Sequence, residues 1–209
     1  MIDFYTAATP NGHKVAVTLE ELGLDSQPVF VDLANQEQKS DEFLAINPNG
    51  RIPTIIDRDR DDFSVFESGA IMIYLAEKCG QLLPTDVEGR SRVMQWLMFQ
   101  RAGVGPMMGQ AYYFMTSFEP QRPDVIERFR VESMRLLEVL DHQLENEDYL
   151  AGDYSIADIA NWCWANAFPR DAIQAAELVA LERWLDRIAA RGAVQRGLAV
   201  KADAELSEA

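Results

Sequence analysis

The sequence is short of cysteine, histidine and positive charge. Its two cysteines, Cys79 and Cys163, stand far apart with no CxxC spacing, and its only histidines are His13 and His142. This pattern argues against a zinc site, any other metal site, or a structural disulfide, so both cysteines are expected to be small buried hydrophobes. Lysine and arginine number 19 against 34 aspartates and glutamates, and the basic residues are scattered singly along a chain of formal net charge −15. Nucleic-acid binding needs massed positive charge, and that class is disfavoured. No apolar run approaches the roughly 20 residues that cross a bilayer; the longest candidate runs from Ala70 to Ala76. The start, Met1-Ile2-Asp3-Phe4-Tyr5, lacks a basic n-region, so a cytoplasmic protein with no membrane partner is expected. Internal repeats and low-complexity segments are absent too, which excludes array architectures.

What remains is an ordinary globular composition, 48% apolar and 25% charged over 209 residues, long enough for two domains of unequal size. Ile2 to Tyr5 reads as a strand, followed by the turn Thr9-Pro10-Asn11-Gly12 and a helix with Val15, Leu19 and Leu22 on one face, closed by Gly23. Val29, Val31 and Leu33 alternate as a second strand; a short helix, Asp41 to Ile46, leads into Asn47-Pro48-Asn49-Gly50. A strand from Pro53 to Asp57, a charged turn from Arg58 to Asp62 and a strand around Val65 and Phe66 form a hairpin, and a helix runs from Ser68 to Gly80. The order is β-α-β, a connecting helix, then β-β-α, which is thioredoxin-like, with an expected mixed four-stranded sheet over residues 1–80.

Residues 81–88, with Pro84 and few apolar side chains, read as a linker, and residues 89–209 as an all-helical domain. One helix is expected from about Glu88 toward Gly103. A long one opens at Pro123 and carries Ile126, Phe129, Ser133, Leu136, Leu140 and Leu144 at helical steps. Ser155-Ile156-Ala157-Asp158 has the form of a capping box. Leu178, Leu181, Trp184, Leu185 and Ile188 supply a further helix, and the small, acidic tail after Gly197 is expected to fray.

Three segments of the first domain could carry chemistry. Thr9 to Gly12 lies between a strand and a helix, where outward-pointing N–H groups and the macrodipole favour an anion such as a thiolate. Thr9 offers one hydroxyl proton and Asn11 two amide protons; a plain N-cap and turn is the alternative. Pro53 stands where a strand begins; a cis Ile52–Pro53 bond would turn the Ile52 backbone toward a ligand, a trans bond would not. Glu67 and Ser68 close a strand and open a helix, which suits the ammonium and carboxylate of a zwitterion, or merely an N-cap.

Five segments together resemble the glutathione S-transferases, and most closely their bacterial nu class: Thr9-Pro10-Asn11-Gly12-His13-Lys14, Asn47 through Pro53, Phe66 through Ile71, Gly103 through Gln110, and Tyr154 through Ala160. The resemblance spans essentially the whole chain. It implies an enzyme that binds reduced glutathione as cosubstrate, activates its thiol and reduces disulfide bonds, with weak conjugation of electrophiles. By position it implies Thr9 and Asn11 near the glutathione sulfur, Gln38, Arg51, Ile52 and a cis Pro53 along the peptide, and Glu67 with Ser68 at the γ-glutamyl end. It further implies a homodimer in which Arg128 reaches glutathione across the interface, and a small disulfide or electrophile as second substrate. Tyr5 stands within the first strand and is not expected to act. No cysteine opens the first helix, so mixed-disulfide chemistry on the protein is not expected. The rival reading is a binding module without turnover, for which Met107-Met108 and Tyr112-Tyr113-Phe114-Met115 would form an adaptable apolar wall.

Overall fold

The computed structural model describes residues 1–200, and its contacts divide the chain into two units, Met1–Gln81 with the segment from Ala190, and Leu82–Ala189. Segment 201–209 of the acidic tail lies outside the described residues.

The first unit is a mixed four-stranded sheet in the order β2-β1-β3-β4, built from β1 (Ile2–Thr6), β2 (Ser26–Phe30), β3 (Thr54–Asp57) and β4 (Phe63–Phe66). β1 runs parallel to β2 and antiparallel to β3, and β3 and β4 form the expected hairpin. Along β1 the side chains alternate, with Ile2, Phe4 and Thr6 buried as a pleated strand requires. Ile2 and Phe4 meet Val15, Leu19, Ile55, Ile71 and Leu75 in one apolar cluster. The last two come from helix α3 (Ser68–Cys79), and Val15 and Leu19 from α1 (Pro10–Leu22). Tyr5 points the other way, its ring edge-on to Phe43 of α2 (Asp41–Ile46) at 6.1 Å.

Two expectations need correction here. The second strand is not Val29 to Leu33: it spans Ser26–Phe30, with Leu33 exposed beyond it. Pro28 masked it, yet β2 is an edge strand, where a missing N–H can be tolerated. The segment from Ala190 does not stay with the other late helices: α10 (Gly192–Leu198) lies against α1. Arg191 donates to both carboxylate oxygens of Glu21 at 2.6 and 2.8 Å, and Arg196 to Glu20 at 2.7 Å. Gly197 permits the approach, since a Cβ there would stand 2.8 Å from the Val17 backbone.

The second unit is helical. α4 (Val87–Phe99) passes through a π-helical turn, Gln100–Val104, directly into α5 (Gly105–Thr116), so the helix does not stop at Gly103. The wide turn absorbs Pro106, which has no N–H to give an uninterrupted α-helix. Next come the long α6 (Pro123–Leu144), α7 (Ile156–Ala165), a short α8 (Arg170–Ala175) and α9 (Val179–Ala189). The expected capping box opens α7: Ala157 N–H donates to Ser155 Oγ, and Ser155 N–H to Asp158 Oδ2. Asp158 is fully buried, and its other oxygen accepts from Leu150 N–H at 2.9 Å and Trp184 Nε1 at 3.1 Å. One carboxylate thereby ties α7 to α9 and to the loop before it. Among the described residues no helix is long and apolar enough to cross a membrane.

Candidate functional site

Sheet register gathers the expected residues of the first unit. Tyr5, next to the end of β1, faces Thr54, the first residue of β3, and Thr54 faces Phe66, the last residue of β4. The loop holding Thr9 and Asn11, the segment holding Arg51 to Pro53 and the pair Glu67-Ser68 therefore emerge at one end of the sheet.

Thr9 is the N-cap of α1 in extended conformation, and its Oγ accepts from Gly12 N–H at 3.2 Å. An accepting hydroxyl keeps its single proton for donation elsewhere. Pro10 occupies the first turn, and no acidic residue stands there to offset the positive end of the helix dipole. Gly12 lets the turn close tightly over β1: a Cβ at this position would lie 2.2 Å from the Ala7 carbonyl oxygen. Asn11 Oδ1 accepts from Lys14 Nζ at 3.0 Å. Burial holds the His13 imidazole below the ordinary histidine range, so it is neutral at pH 7.

The Ile52–Pro53 bond is cis. Among the described residues Ile52 belongs to no strand pair, since β3 begins at Thr54. Asn47, fully buried, braces this loop: its Nδ2 donates to the Arg51 carbonyl at 2.5 Å and to Thr54 Oγ1 at 2.8 Å, and its Oδ1 accepts from Asn49 N–H at 3.0 Å. Asn49 Nδ2 donates to Glu67 Oε1 at 3.3 Å, which links the loop to the start of α3. Lys39 Nζ donates to the Asn49 carbonyl, so the 3-10 turn Glu37–Lys39 that carries Gln38 sits beside the same loop. Gln38 Oε1 is buried, and among the described residues no donor reaches it. A buried acceptor in that state suits the N–H of a peptide-like ligand. Arg51 has an exposed side chain, leaving its backbone as the part held in place.

Glu67 has φ 69° and ψ 115°, a conformation that costs a non-glycine residue about 1–3 kcal/mol and persists where surroundings enforce it. Glu67 is the N-cap residue of α3, its carboxylate accepting from Asn49, and Ser68, the first residue of the helix, is buried. A carboxylate beside helix N–H groups presents both signs of partner within one residue, as a zwitterionic amino-acid end requires.

Thr9, Asn11, Gln38, Arg51, Ile52, Pro53, Glu67 and Ser68 all belong to this unit. Arg128 belongs to the other, exposed on α6. Tyr112, Tyr113 and Met115 are exposed on α5, whereas Phe114 packs on Phe118 and stacks on Phe129 at 5.9 Å. Sequence reasoning assigned Asn47 no part of its own within the segment Asn47 through Pro53; the signal available was an amide five residues before the Ile52-Pro53 pair. Replacing Asn47 by alanine leaves the Arg51 carbonyl and Thr54 hydroxyl short of a donor, at about 1–3 kcal/mol. Chemical denaturation is expected to show the first unit's unfolding free energy lowered by about that amount.

Both units match known proteins. Residues 2–77 match the family model for the glutathione S-transferase N-terminal domain, and residues 104–192 that for the C-terminal domain. A curated relative, the disulfide-bond oxidoreductase YfcG of Escherichia coli, is 46% identical over 203 residues, covering 95% of this chain and 94% of its own. The crystal structure of a Burkholderia graminis glutathione transferase with two glutathione molecules bound per subunit superposes with a TM-score of 0.86 at 43% identity, over 94% of this chain and 87% of that one. A Pseudomonas putida glutathione transferase with one glutathione disulfide bound per subunit gives 0.87 at 40% identity, over 96% and 92%.

Proposed function

This chain belongs to the glutathione S-transferase family, and from that premise we propose that it is a glutathione-dependent disulfide-bond oxidoreductase which activates the thiol of glutathione. The observation that carries the reading is the pairing of donors with a missing thiol. Thr9 keeps a hydroxyl proton, Asn11 brings an amide, and α1 opens there with no acidic residue and no cysteine. Hydrogen bonds to the charged form, with the helix dipole behind them, stabilise a thiolate and lower its pKa.

In the proposed reaction glutathione loses its proton to solvent, and the bound thiolate attacks one sulfur of the substrate disulfide. A mixed disulfide of glutathione forms as the far sulfur leaves as a thiolate. A second glutathione thiolate then attacks the glutathione sulfur of that mixed disulfide, releasing the remaining substrate thiol and forming oxidised glutathione. The two electrons come from two glutathiones, and the protein is unchanged. In this scheme Glu67 and Ser68 hold the γ-glutamyl end, while Gln38, Arg51, Ile52 and Pro53 position the peptide. The ligands in the Burkholderia graminis and Pseudomonas putida structures, two reduced molecules in one and the oxidised product in the other, support it.

The test is steady-state reduction of 2-hydroxyethyl disulfide by glutathione beside conjugation of a chlorinated nitrobenzene by the same preparation. Fast reduction with slow conjugation is expected; the reverse would make the protein a conjugating transferase, and saturable glutathione binding with no rate in either assay would make it a carrier. The proposal extends to a cytoplasmic homodimer in which Arg128 of one protomer reaches glutathione on the other. The exposed position of Arg128 supports it. Sedimentation showing a monomer would remove that role for Arg128.

A further inference from the structure

Lys14 is fully buried, a rare state for a lysine, which is almost never enclosed unless a partner holds it. It stands one turn into α1, and its Nζ donates to Asn11 Oδ1 at 3.0 Å. An ammonium carries donors and no acceptor, so the arm of the Asn11 amide that meets it has to be the oxygen. The other arm, the NH2 with its two protons, is thereby turned away from Lys14. An asparagine amide left to itself presents either end; this one is oriented by a charge.

We propose that Lys14 is a positioning residue of the thiol site: its Nζ, donating to Oδ1, fixes Asn11 with the amide nitrogen presented to the glutathione sulfur, and its positive charge lies behind that amide. The proposal rests on the glutathione-activating reading above and adds to it the reason why an asparagine can serve as a thiolate donor. Charge-assisted hydrogen bonding polarises the Asn11 amide through its oxygen and strengthens donation from its nitrogen. The buried setting screens the charge little.

Other ionisable groups nearby do not supply this charge. On α1, Glu20 is turned to Arg196 of α10 and Glu21 to Arg191 just before that helix, and burial lowers the pKa of the His13 imidazole. On α3, which also packs against α1, Glu67 is bonded to Asn49, and Lys78 and Tyr74 are committed to Asp57 at the opposite end of β3. Among the described residues, Lys14 is the basic side chain bonded to Asn11.

The experiment is an ultraviolet titration of glutathione thiolate on the protein, comparing the unaltered chain with Lys14→Met, Lys14→Gln and Asn11→Ala. Methionine is close to lysine in volume and removes the charge, but it also takes the donor from Asn11 Oδ1, a loss that costs stability; the thermal midpoint reports whether the variant folds. With Lys14→Met the bound thiol is expected to ionise about 1 pH unit or more higher, with glutathione affinity changed less than the ionisation. Lys14→Gln keeps a donor for Asn11 Oδ1 without the charge and is expected to fall between. Should the methionine variant prove poorly folded, the glutamine variant alone carries the test. A folded variant lacking the charge whose thiol ionises as in the unaltered protein, while Asn11→Ala shifts it, overturns the proposal and leaves the thiol-site reading standing. No depressed ionisation in the unaltered protein overturns both.

Discussion

Replacing Asn11 by alanine is expected to lower kcat/KM for glutathione-driven disulfide reduction about a hundredfold, with KM for glutathione changed by only a few-fold. A hydrogen bond to a charged group contributes about 1.5–3 kcal/mol, and a donor aimed at charge that exists only on the activated sulfur acts on the reacting state more than on ground-state binding. About 2.7 kcal/mol corresponds to a factor of one hundred. Alanine also deprives Lys14 of an acceptor, so some of the effect could be structural. Asn11→Asp separates the two. An aspartate keeps the size and pairs with the Lys14 ammonium, so the fold is expected to hold, but it sets a carboxylate where the thiolate needs a donor. Activity in this variant is expected to fall at least as far as in the alanine variant, at an unchanged or higher thermal midpoint. A normal rate in either would remove Asn11 from the chemistry.

The largest expected loss of stability follows Asp158→Ala, about 3–5 kcal/mol for the helical unit. The substitution leaves the N–H groups of Leu150 and Ser155 and the indole of Trp184 buried without their acceptor, and each such orphan costs about 1–3 kcal/mol. The four tryptophans, Trp96, Trp162, Trp164 and Trp184, all lie in this unit, so intrinsic fluorescence during denaturation reports it directly. Burial pushes the Asp158 carboxyl up to about 6 from an ordinary 3.8, against four hydrogen bonds that favour its ionised form. The folded carboxyl thus binds its proton more tightly than the unfolded one. Its contribution is full below pH 3.8 and is lost as pH rises through 6, a span on the order of 3 kcal/mol. The stability gap between the unaltered protein and Asp158→Ala is therefore expected to be wider at pH 5 than at pH 7.5, by about 1–2 kcal/mol. A gap that narrows toward pH 5 would contradict this account of the buried carboxylate.

Features written in local chemistry were legible from the chain. The capping box at Ser155 and Asp158, the hairpin across Arg58 to Asp62, and the N-cap at Thr9 each depend on residues a few positions apart, and each forms as expected. The strand Ser26–Phe30 was hidden because Pro28 weighs against a strand unless its edge position is known. The run from α4 into α5 was hidden because glycine and proline mark helix ends locally, whereas here a π-helical turn takes them into one helix. The return of α10 to α1 rests on pairs such as Arg191 with Glu21, which no sequence spacing discloses.

The candidate site divides along the same line. Thr9, Asn11, Ile52, Pro53, Glu67 and Ser68 stand on loops with recognisable turn chemistry, and the sheet register brings those loops to one end of the first unit. The segments Thr9 to Lys14 and Asn47 to Pro53 were legible as motifs, but the parts that Lys14 and Asn47 play within them were not. A buried amide bracing a loop and a buried ammonium orienting an amide look, in sequence, like a turn residue and a solvated lysine. Their burial is a property of the folded chain alone.

The central claim is that the nucleophilic sulfur belongs to glutathione and that the protein contributes donors and charge but no thiol. Its most direct test is glutathione-driven reduction of 2-hydroxyethyl disulfide by the doubly substituted Cys79→Ala, Cys163→Ala protein, which removes both cysteines of the chain. The account predicts a kcat/KM within about twofold of the unaltered enzyme, since surrounding groups at Thr9 and Asn11 are left intact. A folded cysteine-free protein that has lost the reaction would show that a protein thiol carries the exchange and would contradict the account.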